Sequence, residues 1–536
     1  MDIRQRIRQR RDSEIGAQRV NPAADISIAL AYPHTYRVGM ASLGYQLVYS
    51  MFNSQPGTAC ERFFLPDVED MRGFADFDLL SYESLSPVSR FDAVAFSLHF
   101  ELDYLNVLRM LAASVIPVRR SDRTEVHPLV IAGGPSPTFN PMPMSEFVDV
   151  FVIGDAECVV EPLTVLMKQH AGGDREVLLG ELARIPGLYV PGYSQSAGRA
   201  LCENLDGFPS ASTIRSPEAE FGDTTLLEVA RGCARGCRFC AAGHIGRPMR
   251  PRTLPGHPEA CRYGLVGAAI FDHPNALDLC SRIVDSGGSF SLSSVRLETI
   301  SDTSAHVLRQ AGQRTLTIAP EAGTDRLRRT IGKPCSEERI LAAAMCASKH
   351  GMETIKLYFM VGLPTETDAD VEAICHLAGL VAGQSPDRPL ALLETKGGGR
   401  GVPDLRVSVS VSCFVPKPWT VFQWAAMEDE RVLRRRLSIV DSGCVRMSRV
   451  SVSTESPRLA VVQSLISRGG PEVSEVLAAA LLNGGDYRKA IRDTGINLSC
   501  STGKRTSDEV LPWDHIDLGL DRGRLWDEYC AAVGVP

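Results

Sequence analysis

The sequence has no run of about 20 apolar residues, which is the length that a membrane-spanning helix requires. It also has no excess of basic charge, because its 57 Lys and Arg residues stand against 64 Asp and Glu residues, giving a net charge of −7. Proteins that coat nucleic acids usually carry clustered excess Lys and Arg. We therefore predict no membrane span and no general nucleic-acid partner, while a folded RNA or a nucleotide stays open as a substrate.

The N-terminus is basic but lacks the apolar segment of a signal peptide. Five arginines lie within the first 11 residues, and the first apolar run, Ile26–Ala31, has only the length of a strand. The 15 cysteines are an odd number, which favours reduced thiols over a disulfide framework. We predict a solvated basic arm over residues 1–25 and a cytoplasmic location.

Two series of strand-sized apolar runs alternate with helical patterns, which is typical of βαβ units and parallel sheets. The first series predicts an α/β domain over 26–170, followed by a linker over 171–222. Its strand candidates are Ile26–Tyr32, Ala93–Leu98, Leu129–Ala132 and Val150–Ile153.

The second series predicts a partial (β/α)6 barrel over 223–425, followed by a mainly helical region over 426–536. Within it, the run Gly397–Gly401 predicts a flexible loop. The six strand candidates are Thr224–Ala230, Leu265–Phe271, Ser289–Leu297, Arg314–Ile318, Thr354–Val361 and Val407–Phe414.

Three cysteines are clustered directly after the first strand of this second series. Cys233, Cys237 and Cys240 have the spacing CxxxCxxC. Three thiolates on one loop can bind three irons of a [4Fe–4S] cluster and leave the fourth iron open to a ligand. A zinc site with His244 as the fourth ligand uses the same residue types. The spacing favours iron–sulfur and leaves zinc open.

The cysteine loop, with an aromatic Phe239 before its last cysteine, resembles the signature of radical S-adenosylmethionine (SAM) enzymes. The segments Ala319–Leu327 and Phe359–Thr367 are similar to the fourth and fifth strands of the group that contains methylthiotransferases and Elongator-type enzymes. The family's usual Gly-Gly-Glu motif is absent from the second-strand segment, 264–274.

The whole chain is similar to uncharacterised radical SAM proteins with a Rossmann-like, cobalamin-binding-type domain ahead of the barrel. This similarity rests on residues 31–45, 60–67 and 511–517. It implies a [4Fe–4S] cluster, SAM, a reducing electron donor such as flavodoxin or ferredoxin, and an unknown substrate. In the family, SAM is cleaved reductively to methionine and a 5′-deoxyadenosyl radical, which abstracts a hydrogen atom.

The resemblance implies roles by position. Phe239 packs on the adenine or the cluster, and Glu321 accepts hydrogen bonds from the ribose. The other SAM candidates are Ser294, Arg296, Gly362 and Pro364. A helix N-terminal carboxylate is the alternative for Glu321, and a structural ion pair is the alternative for Arg296.

The catalytic acid or base is unknown from the sequence. Weak candidates are His273 and Asp272 at the end of the second strand, and His244 after the cluster loop. A lone histidine is more often a structural residue than a functional one, so both interpretations stay open.

Cobalamin binding is the least determined of the implied properties. The Asp-x-His-x-x-Gly motif of many cobalamin domains is absent. Ser97, Gly133 and Gly134 nevertheless occupy positions where that fold often contacts the nucleotide tail, although the glycines also fit a tight turn. The domain binds cobalamin without a histidine on cobalt, binds another ligand, or is a relic.

Three hypotheses for the function follow. The first is cobalamin-dependent methyl transfer to an unactivated carbon. The second is cobalamin-independent radical chemistry: rearrangement, ring formation or oxidation. The third is a zinc- or cluster-stabilised binding scaffold. Methylthiolation is disfavoured, because the N-terminal domain holds only Cys60 and Cys158 and therefore lacks a second cluster motif.

Overall fold

The structure is a computed structural model that describes residues 2–17, 20–384 and 405–534, so the Gly397–Gly401 run lies outside the described residues. The strands are β1 (Ile26–Thr35), β2 (Thr58–Leu65), β3 (Ala93–Ser97), β4 (Leu129–Gly133), β5 (Val150–Val152), β6 (Leu188–Tyr189), β7 (Ala197–Gly198), β8 (Thr225–Glu228), β9 (Ala230–Arg231), β10 (Arg250–Pro251), β11 (Arg262–Val266), β12 (Ser289–Ser291), β13 (Thr315–Glu321), β14 (Thr354–Val361), β15 (Arg406–Cys413), β16 (Val450–Thr454) and β17 (Ile516–Asp517).

The described residues also form 19 α-helices. They are α1 (Ile3–Asp12), α2 (Tyr36–Gly39), α3 (Leu43–Ser54), α4 (Tyr104–Ala113), α5 (Pro135–Phe139), α6 (Val160–Gln169), α7 (Arg175–Leu182), α8 (Ala242–Ile245), α9 (Ala276–Asp285), α10 (Asp302–Gln310), α11 (Asp325–Thr330), α12 (Glu337–Lys349), α13 (Asp368–Val381), α14 (Glu430–Cys444), α15 (Pro457–Arg468), α16 (Val473–Leu482), α17 (Tyr487–Thr494), α18 (Ser499–Thr502) and α19 (Arg522–Val533).

The chain divides into two compact units. Unit 1 comprises Met1–Leu227, Leu465–Ser501 and Asp508–Leu520, and unit 2 comprises Glu228–Ser464, Thr502–Ser507 and Asp521–Pro536. The segment after residue 426 thus contributes to both units.

Unit 1 is built on a six-stranded sheet with the order β2-β1-β3-β4-β5-β6. The first five strands are parallel and β6 is antiparallel. In this doubly wound order the chain reverses direction across the sheet between β1 and β3, where open α/β sheets bind their ligands. The α/β prediction with a parallel sheet is confirmed.

The N-terminal arm is packed, contrary to the prediction that it is solvated. It forms helix α1, whose Ile7 is only 4% exposed. Arg6 and Arg10 lie 3.2 and 2.6 Å from the carboxylate of Asp67. The basic charge therefore serves ion pairing within the unit, which a pattern of local charge does not reveal.

A buried arginine ties three parts of unit 1 together. The guanidinium of Arg62 on β2 lies 2.7 Å from Glu14 Oε1 and 2.6 Å from Glu83 Oε1. It also lies over the ring of Tyr49, 5.3 Å from the centroid. Arg62 is 1% exposed, so its charge depends on these two carboxylates for compensation.

Unit 2 contains two separate parallel ladders. In one ladder β11 pairs with β12, and the other has the order β13-β14-β15-β16. A backbone hydrogen bond of 2.9 Å from Val295 N to Thr317 O connects the segment after β12 with β13. Burial alternates along β14 and β15, as expected for strands with one covered face.

Two predicted strands of unit 2 end earlier than the sequence indicates. The second covers Arg262–Val266, because the chain turns at Gly267 and forms a single turn of 3₁₀ helix at Ile270–Asp272. The third ends at Ser291, within a serine-rich stretch whose side chains favour turns. Strands β2 and β16 were not predicted at all.

We predict that Arg62→Met lowers the free energy of unfolding of unit 1 by about 3–5 kcal/mol, because it leaves two carboxylates buried without a counter-charge. Hydrogen-exchange mass spectrometry of peptides from β1 and β2 in increasing urea measures this. Arg72→Met is the matched control, since Arg72 forms exposed ion pairs with Asp76 and Asp78. Equal exchange in both variants contradicts the prediction.

Candidate active site

The loop that carries the three cysteines is shaped by a close backbone approach. It leaves β9, which pairs antiparallel with β10, and it ends at helix α8. Gly232 has φ +79°, and a Cβ at this position would lie 1.9 Å from the carbonyl oxygen of Gly246. Only glycine fits there, so the start of the loop is fixed against the residues after α8.

The three cysteines line one cavity of about 210 Å³. The sequence-predicted residues that share this lining are Phe239, Ser294, Arg296 and Glu321. The structure adds nine further residues: Arg235, Ala268, Ala269, Val295, Leu297, Glu298, Ala319, Lys333 and Cys335. Tertiary structure thus brings together residues that are up to 102 positions apart in the chain (335 − 233).

Burial keeps two of the loop thiols protonated in the absence of a metal. It raises the pKa of Cys237 to about 11, although the cations Lys333 and Arg296 nearby oppose this shift. Burial also raises the pKa of Cys240. Metal binding by these thiols must therefore release protons, because the thiolate is the ligand.

Glu321 occupies a strained position at the end of β13. Its φ is +69°, in the left-handed region that non-glycine residues rarely adopt, and the pairing of β13 with β14 shifts register there. Its Oε1 accepts a hydrogen bond of 2.9 Å from Lys333 Nζ. Burial raises the pKa of this carboxyl, and Lys333 opposes the shift.

Arg296 presents an unused donor. Its NH2 group donates to Glu298 at 3.1 Å, but its buried Nε has no hydrogen-bond partner among the described residues. Nε also forms an ion pair with Asp272, but Asp272 Oδ1 lies 3.8 Å away, beyond hydrogen-bond distance. A buried N–H without an acceptor costs free energy, so the cavity fits an anionic ligand at this atom.

The arginines of the cysteine loop are paired with carboxylates. Arg231 binds Glu228, and Arg238 lies 3.1 Å from Glu528. Arg235 makes two bonds of 2.9 Å to Asp272, whose side chain is 7% exposed. This pairing supports a positioning role for Asp272 rather than a role in proton transfer.

Two of the three predicted catalytic candidates are histidines, and the rings of both form hydrogen bonds with backbone atoms. His273 Nε2 lies 3.0 Å from Arg252 O, and its Nδ1 accepts from Asn275 N at 3.1 Å. His244 is 2% exposed and its Nδ1 lies 2.8 Å from Cys240 O, while burial lowers its pKa. Neither histidine lines the cavity, and this geometry supports the structural interpretation of both.

Two family models match the chain. The model for the radical SAM superfamily matches residues 227–378, which contain every residue that lines the cavity. The model for radical SAM proteins, N-terminal, matches residues 44–191 in unit 1. The chain belongs to the radical SAM superfamily. It is therefore an enzyme of that superfamily, with a [4Fe–4S] cluster and SAM as its cofactors, and the recognition of this family from the cysteine loop is confirmed.

The curated relatives of this radical SAM chain include two archaeal proteins. The uncharacterized protein MJ0966 of Methanocaldococcus jannaschii is 26% identical over 464 residues, which are 84% of this chain and 90% of the relative. The uncharacterized methyltransferase PH0819 of Pyrococcus horikoshii is 25% identical over 269 residues, which are 46% of this chain and 57% of the relative.

Solved structures with partial similarity include two cobalamin-dependent or cobalamin-bound radical SAM enzymes. OxsB with aqua-cobalamin and SAM bound has a TM-score of 0.49 at 12% identity, over 66% of this chain and 52% of that one. TsrM from Kitasatospora setae with cobalamin and a [4Fe–4S] cluster has a TM-score of 0.48 at 13% identity, over 88% and 99%. These scores are below the level at which a shared fold follows.

Gly362 and Pro364 lie outside the lining of the radical SAM cavity. The N–H of Gly362 donates to Glu366 Oε2 at 2.6 Å, and Glu366 lies 2.9 Å from Arg436. Burial raises the pKa of Glu366 to about 7. A side chain at Gly362 would collide with Leu433, 2.7 Å away, so packing accounts for this glycine.

The predicted cobalamin residues lie at the carboxyl edge of the sheet in unit 1. Ser97 pairs directly with Gly133 across β3 and β4. Gly134 has φ +117°, and a Cβ there would lie 2.3 Å from Leu98 O. The tight-turn interpretation therefore explains Gly134 without a ligand, and the cobalamin site stays a prediction.

Sequence reasoning missed Lys333 and Cys335 in the cavity. Lys333 lies 12 residues after Glu321, beyond helix α11, and no local motif marks it. The sequence holds only an indirect signal. A buried carboxylate at the end of a strand needs a cation nearby, and Lys333 is a basic residue that follows α11. Cys335 lies outside the cysteine cluster, so its spacing does not mark it either.

None of the helices in the described residues has the length and apolar character needed to cross a bilayer.

We predict that His273→Leu lowers stability but preserves SAM cleavage. It removes two hydrogen bonds to the backbone, at about 1 kcal/mol each, which corresponds to a Tm decrease of roughly 4–8 °C. Calorimetry and a 5′-deoxyadenosine assay measure the two effects. His273→Gln should recover part of the Tm, and the exposed His257→Leu should change neither. Loss of cleavage at an unchanged Tm contradicts the structural role.

Proposed function

We propose that this enzyme binds its [4Fe–4S] cluster through Cys233, Cys237 and Cys240 and cleaves SAM reductively in the cavity that these cysteines line. We further propose that the product radical chemistry serves methyl transfer to an unactivated carbon of an unknown substrate. The convergence of the three thiols with Glu321 and Arg296 on one cavity is the observation that carries the first proposal.

The residues of the cavity fit both groups. Three cysteines supply three of the four ligands of a [4Fe–4S] cluster and leave one iron without a protein ligand. The bound cluster supplies the electron that splits SAM into methionine and a 5′-deoxyadenosyl radical. The buried and unpaired Nε of Arg296 offers a donor for the SAM carboxylate in the same cavity.

Glu321 is the residue that we propose to orient the nucleoside of SAM. An ionised carboxylate accepts hydrogen bonds from the two ribose hydroxyls, and Lys333 stabilises the ionised form at 2.9 Å. The backbone of Glu321 is left-handed, a conformation that favours glycine. The residue at this position nevertheless carries a side chain, which lines the cavity. Phe239, on the same wall, offers an apolar face for the adenine.

The methyl-transfer part of the proposal is supported by the similarity to PH0819, a relative described as an uncharacterized methyltransferase. Cobalamin is its proposed methyl carrier, at the carboxyl edge of the unit 1 sheet near Ser97 and Gly133. The alternative is cobalamin-independent radical chemistry. The observation that favours it is Gly134, whose conformation is explained by packing against Leu98. Either reaction requires a low-potential electron donor, for which flavodoxin or ferredoxin is proposed.

The deciding experiment quantifies metals and SAM cleavage in protein purified anaerobically with iron, sulfide and cobalamin supplied. We expect about four iron atoms per chain and dithionite-dependent 5′-deoxyadenosine. About one cobalt per chain supports methyl transfer, and iron with cleavage but without cobalt supports the alternative. Cys237→Ala should lose the cluster absorbance and cleavage, whereas Cys500→Ser, an exposed cysteine outside the loop, should lose neither. Zinc in place of iron, without cleavage, contradicts both proposals and leaves a scaffold.

We predict that Glu321→Gln weakens SAM binding about 10- to 100-fold, the cost of losing hydrogen bonds to a charged acceptor. Anaerobic calorimetric titration of the cluster-loaded protein with SAM measures this. Glu353→Gln, which replaces an exposed carboxylate paired with Arg314 and Arg406, is the matched control. An unchanged Kd in Glu321→Gln shows that the carboxylate does not contact SAM.

The same role gives a pH dependence with a defined sign. Because the folded-state pKa of Glu321 is raised, SAM binding should weaken as the pH falls through that value. Lys333→Met removes the cation that opposes the shift, so the weakening should begin at a higher pH than in the wild type. Identical pH profiles in the two proteins contradict the role of Lys333.

A further inference from the structure

A second group of metal-ligating side chains lies outside the radical SAM cavity. The ligand atoms of Asp302, Cys346 and His350 all lie within 4.8 Å of one another. His350 Nε2 is 2.8 Å and Cys346 Sγ is 3.9 Å from the same oxygen, Asp302 Oδ1. Tetrahedral zinc with bonds of about 2.0–2.3 Å separates its ligand atoms by about 3.3–3.8 Å. The two observed separations, 2.8 and 3.9 Å, lie just below and just above that range.

Helical spacing places His306 beside this group, but its ring nitrogens do not lie within 4.8 Å of all three ligand atoms, so its side chain must turn to become a fourth ligand. Cys346 and His350 are four residues apart at the end of α12, and Asp302 and His306 are four residues apart on α10. Residues i and i+4 lie on the same face of a helix, so two pairs face each other. The rings of His306 and His350 have centroids 6.0 Å apart. Two imidazoles on one tetrahedral zinc ion have ring centres about 5–6 Å apart, given Zn–N bonds of about 2.0 Å.

We propose that Asp302, His306, Cys346 and His350 form a zinc site that links α10 to α12. A donor set of one thiolate, two imidazoles and one carboxylate suits the borderline-soft Zn²⁺ and disfavours Mg²⁺ and Ca²⁺, which prefer oxygen. The four ligands come from the protein, as in structural rather than catalytic zinc sites. None of them lines the radical SAM cavity.

Lys349 is the competitor for this site. Its Nζ lies 2.8 Å from Asp302 Oδ1, so in the absence of zinc the carboxylate pairs with an ammonium group. The side chain of Lys349 is 65% exposed and can move into solvent when zinc binds. Burial raises the pKa of Cys346. Zinc binding must therefore displace one proton from this thiol to solvent as the Zn–S bond forms.

The alternative is an ion-pair network of Asp302 with Lys349 and His350 that binds no metal. The two interpretations differ in the effect that they predict for Lys349→Ala on metal affinity. Removing the ammonium frees the carboxylate and tightens a metal site, whereas it only deletes one interaction from an ion-pair network.

Zinc bound here also adds to the zinc count without occupying the cysteine loop, so iron content rather than zinc content reports on the cluster.

Cobalt(II) titration of the full-length, iron-loaded protein tests the site, because thiolate-to-cobalt charge transfer gives a near-ultraviolet band. Difference spectra against the same iron-loaded protein without cobalt separate this band from the absorbance of the cluster. We expect about one Co²⁺ per chain with this band, displaced by Zn²⁺. Cys346→Ser should abolish the band, and His350→Gln should weaken binding at least about 10-fold, the cost of losing even an outer-shell partner.

Cys500→Ser is the matched thiol control and should keep the band, and Lys349→Ala should bind cobalt more tightly than the wild type. Circular dichroism confirms that each variant is folded. A band that persists in Cys346→Ser, or a wild type that binds no cobalt with thiolate character, overturns the proposal. So does an unchanged cobalt Kd in Lys349→Ala.

Discussion

Parallel strand pairing is the constraint on which the candidate active site depends. Parallel strands require a crossover after each strand, so their carboxyl ends collect at one edge of a sheet. In unit 2 the cavity is lined by the loops that follow β9, β11 and β12 and by the end of β13. The cavity is therefore assembled from segments that are distant in the chain, and its chemistry depends on loops rather than on the strands themselves.

The charged side chains of the cavity are paired, but two of its features cost free energy. Lys333 compensates Glu321, and Arg235 compensates Asp272. Among the described residues the Nε of Arg296 has no hydrogen-bond partner, and the backbone of Glu321 is strained. Both features cost free energy in the ligand-free protein. An anionic and hydroxyl-bearing ligand such as SAM would offset that cost on binding.

Buried ion pairs, rather than disulfides, connect distant segments in both units. None of the 15 cysteines, which all lie among the described residues, forms a disulfide. Arg62 joins β2 to Glu14 and Glu83 in unit 1. In unit 2, Arg252 lies 0% exposed against Glu228, which directly precedes the cysteine loop. Such pairs contribute little net stability when intact but are costly to break, so they fix one geometry for the segments that they join.

The sequence alone predicted the α/β class, the approximate positions of ten strands, and the cluster of three cysteines. These features are local: hydrophobic periodicity marks an element, and the three cysteines lie within eight consecutive residues. Only the tertiary structure placed Lys333 and Cys335 in the cavity, packed the basic N-terminus against Asp67, and engaged both nitrogens of His273 with the backbone. The physical reason is that pairing partners and burial depend on contacts between distant segments, which neither spacing nor composition encodes.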